Sequence, residues 1–344
     1  MLPMPTDLTP ADPTPVIRLL NGFRQSKAMF AAAKLGVFDA LRDAPMSPGD
    51  LAAKLSLNPD ATERLLAACA SLGLLTQVGG VYANTATADA YLTTGSPNRM
   101  LGYANYSDTV LWKLWDHLDD AVREGTNRWQ QGFGWDGPIF SSFFKTPEAM
   151  REFLFGMHGF GLLSSPVVVN AVDLSGFTTM VDLGGATGHL TIAAVRRWPN
   201  LRGVVFDLPQ AIPLADEVIG ATEVKHRVST AAGDFFEGEL PRGDLYAVGR
   251  ILHDWSEAKI SRLLTRVFDA LPRGGGLLIA EKILHDDKSG PSDALLQSLN
   301  MLLCTEGKER SLAEYAALLE SHGFRDIVGV KTAAPVDAIL ARKP

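Results

Sequence analysis

A chain of 344 residues is longer than one hydrophobic core usually serves, so two domains are the first expectation. With 46% apolar and 21% charged residues it can bury a full core, and a net charge of −7 argues against nucleic acid as its main partner. Two cysteines, Cys69 and Cys304, form neither a disulfide framework nor a metal-ligand spacing and read as buried apolar residues in a reducing compartment.

Residues 1–15 are rich in Pro, Thr and Asp and lack the basic start, apolar run and cleavage pattern of a signal peptide. They read as a disordered tail. The most apolar stretches, such as residues 28–41 with Lys34 and Asp39 inside them, read as too short to span a bilayer. No membrane partner and a cytoplasmic location are therefore expected. Helical spacing over 16–40 includes Met29, Phe30, Leu35 and Phe38. Ser47-Pro48-Gly49-Asp50 signals a helix start, and Asn58-Pro59-Asp60 opens a helix over 61–72. Residues 74–82 then read as a short hairpin turning at Gly79-Gly80. Helices followed by a two-stranded wing make a winged-helix pattern over 16–100. Eight Lys/Arg against eight Asp/Glu in residues 1–100, with Arg64 the one basic residue of the 61–72 helix, leave no basic face for DNA. A dimerisation or substrate-capping module fits better.

Residues 101–170 read as a helical connector, with helix-like runs over 107–123 and 147–163. Met157, His158 and Phe160 are candidates to line a substrate pocket, although such a stripe is also what plain core looks like. From 171 to the end the texture is that of an α/β domain. Strand-like runs at 179–183, 203–206, 224–228, 245–248 and 277–280 alternate with helical patterns such as 190–198 and 257–271. That alternation predicts a parallel sheet covered by helices on both faces. Two further strand candidates, 327–330 and 338–341, are joined by a short turn, which makes that last pair antiparallel.

Three places in this half carry chemistry. Residues 181–190, VDLGGATGHL, put a glycine-rich turn between the first strand and its helix, where a backbone can approach a ligand without a Cβ in the way. Asp182, Gly184 and Gly185 belong to it. Asp207-Leu208 closes the next strand, where an acid can accept hydrogen bonds from both ribose hydroxyls of a nucleoside; Asp234-Phe235 follows the third and offers a carboxylate and a ring to adenine. A nicotinamide reductase would want glycine where Thr191 stands and a tyrosine with lysine four residues on, which this chain lacks. A cofactor without phosphate, S-adenosylmethionine, needs only the loop and the two acids. The fourth strand leads into Gly249-Arg250-Ile251-Leu252-His253-Asp254-Trp255-Ser256. A histidine beside the cofactor crevice, with an ordinary pKa of about 6.5, suits a general base for a hydroxyl. Glu281, ending the fifth strand, and Glu309 are both expected to converge on His253 and hold its other ring nitrogen. Asp254 reads equally as a cap of the following helix. No metal is expected, because His and carboxylates show no ligand spacing.

On these motifs the chain resembles the caffeate- and acetylserotonin-type small-molecule O-methyltransferases over nearly its whole length, nearest the acetylserotonin branch. Carrying strings are LGVFD at 35–39, DAVREG at 120–125, SLNML at 298–302, GFRD at 323–326 and DAILARK at 337–343. The resemblance implies a class I methyltransferase domain, with a Rossmann-like and mostly parallel seven-stranded sheet, behind an all-α winged-helix dimerisation domain. It also implies a homodimer through that domain, S-adenosylmethionine as donor and no metal. By it the base is His253, supported by Glu281 and Glu309, and the cofactor positions are Gly184, Asp207, Asp234 and Phe235. Arg250, counted with the cofactor set, and Asp254 and Asn300 match substrate-side positions. One departure is Ala186, where the family usually has glycine. The expected reaction is methyl transfer to the hydroxyl of a small aromatic or indolic acceptor. The alternatives are a C-methyltransferase of a keto acid on the same fold and, more remotely, a winged-helix regulator without catalysis.

Overall fold

The computed structural model describes residues 11–135 and 146–344, and the chain divides into two compact units between Asp108 and Thr109. Of the expected 1–15 tail, residues 1–10 lie outside the described residues, and the helix Thr14–Lys34 already takes in its last two positions.

In the first unit the single helix expected over 16–40 is two. Gly36 adopts a left-handed φ of 75° and parts Thr14–Lys34 from Val37–Ala40. Ser47 and Asn58 cap the helices Pro48–Leu55 and Pro59–Ser71 by accepting from the Asp50 and Ala61 N–H groups. Strands β1 (Leu75–Val78) and β2 (Val81–Asn84) pair antiparallel. The turn uses Gly79 and Gly80 at φ 59° and 83°, the sign that a two-residue hairpin of matching twist demands. An isolated bridge from Met46 to Tyr82 widens the wing. Phe38, Leu51, Leu66, Cys69 and Tyr82 close a core of their own.

The run expected as one helix over 107–123 is broken into a π-helical turn, Ser107–Leu111, at the division between the units, and the helices Trp112–Trp115 and Leu118–Glu124. The helix Pro147–Ala171 is longer than expected and carries Pro166 inside it. By length and composition it is also apolar enough to cross a membrane, unlike the stretches weighed in the sequence. Its buried residues include the small Gly156, Gly159, Gly161, Ser164 and Ser165 beside Leu154, Val168 and Val169, and it packs along the helix His189–Arg197. A Cβ on Gly161 would fall 2.3 Å from the His189 ring, so the absence of a side chain there is what lets that ring lie against the long helix. That is the surface of a core helix.

The sheet has seven strands, in the spatial order Arg325–Val330, Asp337–Arg342, Gly276–Glu281, Leu245–Gly249, Thr179–Leu183, Arg202–Asp207 and Val228–Ala232. Strands β3 (Thr179–Leu183), β4 (Arg202–Asp207), β5 (Val228–Ala232), β6 (Leu245–Gly249) and β7 (Gly276–Glu281) are parallel. Strands β8 (Arg325–Val330) and β9 (Asp337–Arg342) pair antiparallel, as their short connection required. The third strand starts at Val228 rather than 224; Val224 is buried instead among Val195, Val205 and Ile219, so its apolar signal was that of a helix-packing residue. Both faces are buried: Val181, Tyr246, Leu277 and Ile339 on one, Met180, Ala247, Leu278 and Leu340 on the other. Strand order reverses between β3 and β6, so the carboxyl ends of those two strands open a crevice where sheets of this kind bind ligands.

Candidate active site

One wall of the crevice is the loop after β3. Gly184 (φ 69°), Ala186 (φ 50°) and Gly188 (φ 78°) all adopt left-handed backbone. A Cβ on Gly184 would lie 2.5 Å from Ile251 Cδ1 and 3.4 Å from Phe235 Cε1, so only glycine fits between those segments. Gly185 faces Asp182 with equally little room, 2.9 Å to its Cγ. Asp182 points inward: the Thr191 hydroxyl donates to its Oδ2 at 2.8 Å, and burial pushes its carboxyl up to about 7. Gly203 leaves the space that the Thr191 methyl fills.

At the end of β4, Asp207 Oδ2 accepts from the Ala186 N–H at 2.8 Å and Oδ1 from the Leu208 N–H at 2.7 Å. Burial raises this carboxyl, against the pull of the two N–H groups. Each oxygen keeps a further lone pair for a ligand. Beyond β5, Asp234 accepts from the Phe236 N–H at 2.8 Å, and Phe235 lies edge-on to Phe236 and Trp255.

The other wall is the 3-10 turn Leu252–Asp254 after β6, entered through Arg250 at φ 56°. His253 is 6% exposed, and its Nδ1 meets Glu309 Oε1 at 2.6 Å. The second oxygen of Glu309 is buried with no hydrogen bond, so the charge of that carboxylate is answered chiefly by the imidazole. His253 Nε2 lies 3.7 Å from Asp254 Oδ1. Burial alone would lower the pKa of His253, but Glu309 first and Asp254 next outweigh it and raise it to about 10. Asp254 is pushed up to about 7 by burial, against the pull of His253. Glu306 donates its N–H to the Asp254 carbonyl, and Gly307 passes so close to the His253 carbonyl that a Cβ would stand 2.2 Å from it. The 306–309 loop is thus built onto the turn.

The two glutamates do different things. Glu281 does not hold the imidazole as expected. Its Oε1 accepts from the backbone N–H groups of Ile251, Leu252 and His253 at 3.1, 2.6 and 3.3 Å, and its Oε2 accepts from the Tyr315 hydroxyl. Asp254 does not cap the next helix either, since Ser256 occupies that position. His253, Glu281 and Glu309 bring ligand atoms within 4.8 Å of one another, a spacing open to a metal ion. However, Glu281 is committed to four hydrogen bonds and Glu309 Oε1 to the ring, which leaves a poor donor set.

The remaining candidates form separate groups. His158 Nδ1 meets the Thr187 hydroxyl at 2.7 Å, tying the long helix to the cofactor loop, and Met157 is half-buried just before it. His189, unassigned in the sequence, bonds Ser165 at 2.8 Å; burial, with His158 and Arg250 nearby, lowers its pKa to about 3. The Arg250 guanidinium lies over Phe160, 5.0 Å from the ring centre. Asn300 accepts from Trp115 Nε1 at 3.0 Å, which ties the helix Ser292–Cys304 to the helix Trp112–Trp115. Sequence reasoning missed Tyr315, Thr187 and Trp115, whose types signal nothing until their partners are known.

The geometry agrees with what the chain is similar to. A family profile described as an O-methyltransferase domain matches residues 115–325, and one described as an O-methyltransferase dimerisation domain matches 17–94. The chain belongs to the O-methyltransferase family. Acetylserotonin O-methyltransferase of Bos taurus is 42% identical over 94% of this chain and 95% of its own length. A Homo sapiens protein named probable bifunctional dTTP/UTP pyrophosphatase/methyltransferase is 40% identical over 97% of this chain, which spans about half of it, 54%. The crystal structure of human N-acetylserotonin methyltransferase in complex with SAM superposes with a TM-score of 0.91 at 37% identity, covering 98% of this chain and 99% of that one. This methyltransferase is accordingly S-adenosylmethionine-dependent, with the class I fold behind a helical dimerisation domain.

Proposed function

We propose that this methyltransferase transfers methyl from S-adenosylmethionine to the hydroxyl of a small aromatic or indolic acceptor, N-acetylserotonin-like, with His253 as general base. The observation that carries the base assignment is the buried 2.6 Å contact of His253 Nδ1 with Glu309. It fixes the ring, leaves Nε2 as the nitrogen for an acceptor hydroxyl, and stabilises the imidazolium that proton removal creates.

The residues present fit the cofactor: Asp207, each of whose oxygens accepts one backbone N–H, keeps a lone pair on each for the two ribose hydroxyls, and Gly184 lets the loop pack close against Ile251 and Phe235. In this reading Asp234 and Phe235 meet the adenine, Gly185, Leu208 and Arg250 meet the rest of the molecule, and Asp182, bonded to Thr191, supports the loop. When bound, S-adenosylmethionine supplies an electrophilic methyl on a sulfonium leaving group. Glu309 and Asp254 raise the basicity of His253 above that of an ordinary imidazole, toward that of a phenolic hydroxyl, which favours proton transfer to the ring. A base so placed contributes on the order of 10²–10⁴-fold. Met157, His158, Asp254 and Asn300 line the acceptor side in this reading. The dimerisation domain supports a homodimer; the partners are the small-molecule acceptor and a second copy of the chain, with neither nucleic acid nor membrane, in the cytoplasm.

Isothermal titration with S-adenosylmethionine and S-adenosylhomocysteine, followed by a methyl-transfer assay on N-acetylserotonin and other phenols, tests the reading. Cofactor binding with turnover on a phenol is expected. Binding with turnover only at carbon or nitrogen contradicts the acceptor class.

A further inference from the structure

We infer that Tyr315 is a positioning residue for His253, acting through Glu281: the two side chains hang the catalytic turn from β7 by its backbone. The inference rests on the reading of His253 as the base. The anchor is Glu281, fully buried at the end of β7. One oxygen gathers three consecutive N–H groups, those of Ile251, Leu252 and His253. Such convergence depends on the carboxylate facing one way, and the Tyr315 hydroxyl on the other oxygen sets that direction. Tyr315 is itself fully buried on the helix Leu312–Ser321, among Val267, Leu319 and Phe324, so it is placed by the core and not by the ligand.

The turn needs holding. It is entered through Arg250 at φ 56°, left-handed backbone that a residue with a Cβ rarely adopts. The Arg250 N–H bonds the Ala280 carbonyl at 3.1 Å, and Arg310, also buried, donates to the Leu252 carbonyl at 3.5 Å. Glu281 adds three bonds to the N–H groups of residues 251–253. Without the tyrosine hydroxyl, a buried carboxylate oxygen loses its partner and the carboxylate is free to turn, which releases N–H groups of the turn. The Nε2 position then drifts relative to the acceptor. A drift near 1 Å is enough to slow an aligned transfer about a hundredfold.

Glu281→Gln separates holding from charge, because the amide oxygen can still accept from the three N–H groups while the amide N–H₂ donates to Tyr315. Hydrogen–deuterium exchange of the full chain, read at residues 251–253, and steady-state kinetics test the inference together. Tyr315→Phe is expected to speed exchange at the turn about tenfold or more and to lower kcat about 10- to 100-fold, with acceptor KM and S-adenosylhomocysteine Kd within about twofold. Glu281→Gln is expected to keep the turn protected and to lose less kcat than Glu281→Ala. An unchanged turn in Tyr315→Phe overturns the inference. So does a Glu281→Gln variant with a protected turn and a kcat as low as that of Glu281→Ala, since charge would then be what matters. If Tyr315→Phe loosens the whole unit, the two Glu281 variants decide alone. Exchange is read without acceptor, so a wild-type protein that methylates no hydroxyl would sink the functional reading and leave the turn's support measurable.

Discussion

The two walls of the crevice are built in different ways. The β3–β4 wall is made by backbone: left-handed residues at 184, 186 and 188, and an Asp207 carboxylate whose two partners are N–H groups of the adjoining loops. The β6–β7 wall is made by side chains from distant parts of the sequence: Glu281, Glu309, Arg310 and Tyr315 all bear on residues 250–254. A cofactor common to a whole fold can be met by a local loop. A base must be held in one orientation with one charge environment, and a short turn does not supply that by itself. Removing a side chain should therefore spare one wall when it damages the other.

The largest effect is expected at His253. His253→Ala should lower turnover about 10²–10⁴-fold and leave S-adenosylhomocysteine affinity near that of the wild type, since the loss falls on the side-chain wall alone. Titration calorimetry beside the methyl-transfer assay checks it; retained turnover removes His253 from the mechanism. Asp207→Ala should do the reverse, weakening cofactor binding about 10- to 100-fold through lost hydrogen bonds to a charged acceptor. Undiminished affinity in that variant would mean that the ribose is held elsewhere. The smallest effect is at Ala186, whose φ of 50° strains a residue with a Cβ. Ala186→Gly should raise stability by about 1 kcal/mol or less, the relief of left-handed strain less the added chain entropy, with little change in turnover. Thermal unfolding measures it, and a lower Tm would show that the methyl packs usefully.

This contrast also explains what was legible in the sequence. The strand–glycine–helix segment could be read at 181–190 because its chemistry depends on neighbours in the chain. Strand alternation likewise placed β3, β4, β6 and β7 within a residue or two. Val224 misled, because a buried valine packing under a helix has the same apolar signal as one in a strand. Gly36 and the π-helical turn Ser107–Leu111 broke helices that periodicity had joined, since a tightened or loosened turn keeps its apolar residues. Glu281 and Glu309 could be chosen by type and place, but not told apart. One reaches the imidazole ring and the other the backbone beneath it, and that depends on the path of the 306–309 loop over the turn. Tyr315 was silent because a core tyrosine is ordinary until the carboxylate under its hydroxyl is known.

The central claim is that His253 takes the acceptor's proton while Glu309 sets its basicity. Single-turnover methyl transfer to one phenolic acceptor between about pH 6 and 10, in the wild type and in Glu309→Gln, tests it most directly. Acceptor ionisation is common to both proteins, so any difference reads His253. With a folded pKa of about 10, the neutral imidazole gains population as pH rises, so the wild-type rate should climb through the neutral range with an inflection far above the ordinary histidine value. Removing the charge of Glu309 should bring that inflection down by more than about one unit, with a lower plateau because the base is weaker. Coincident inflections in the two proteins would contradict the account.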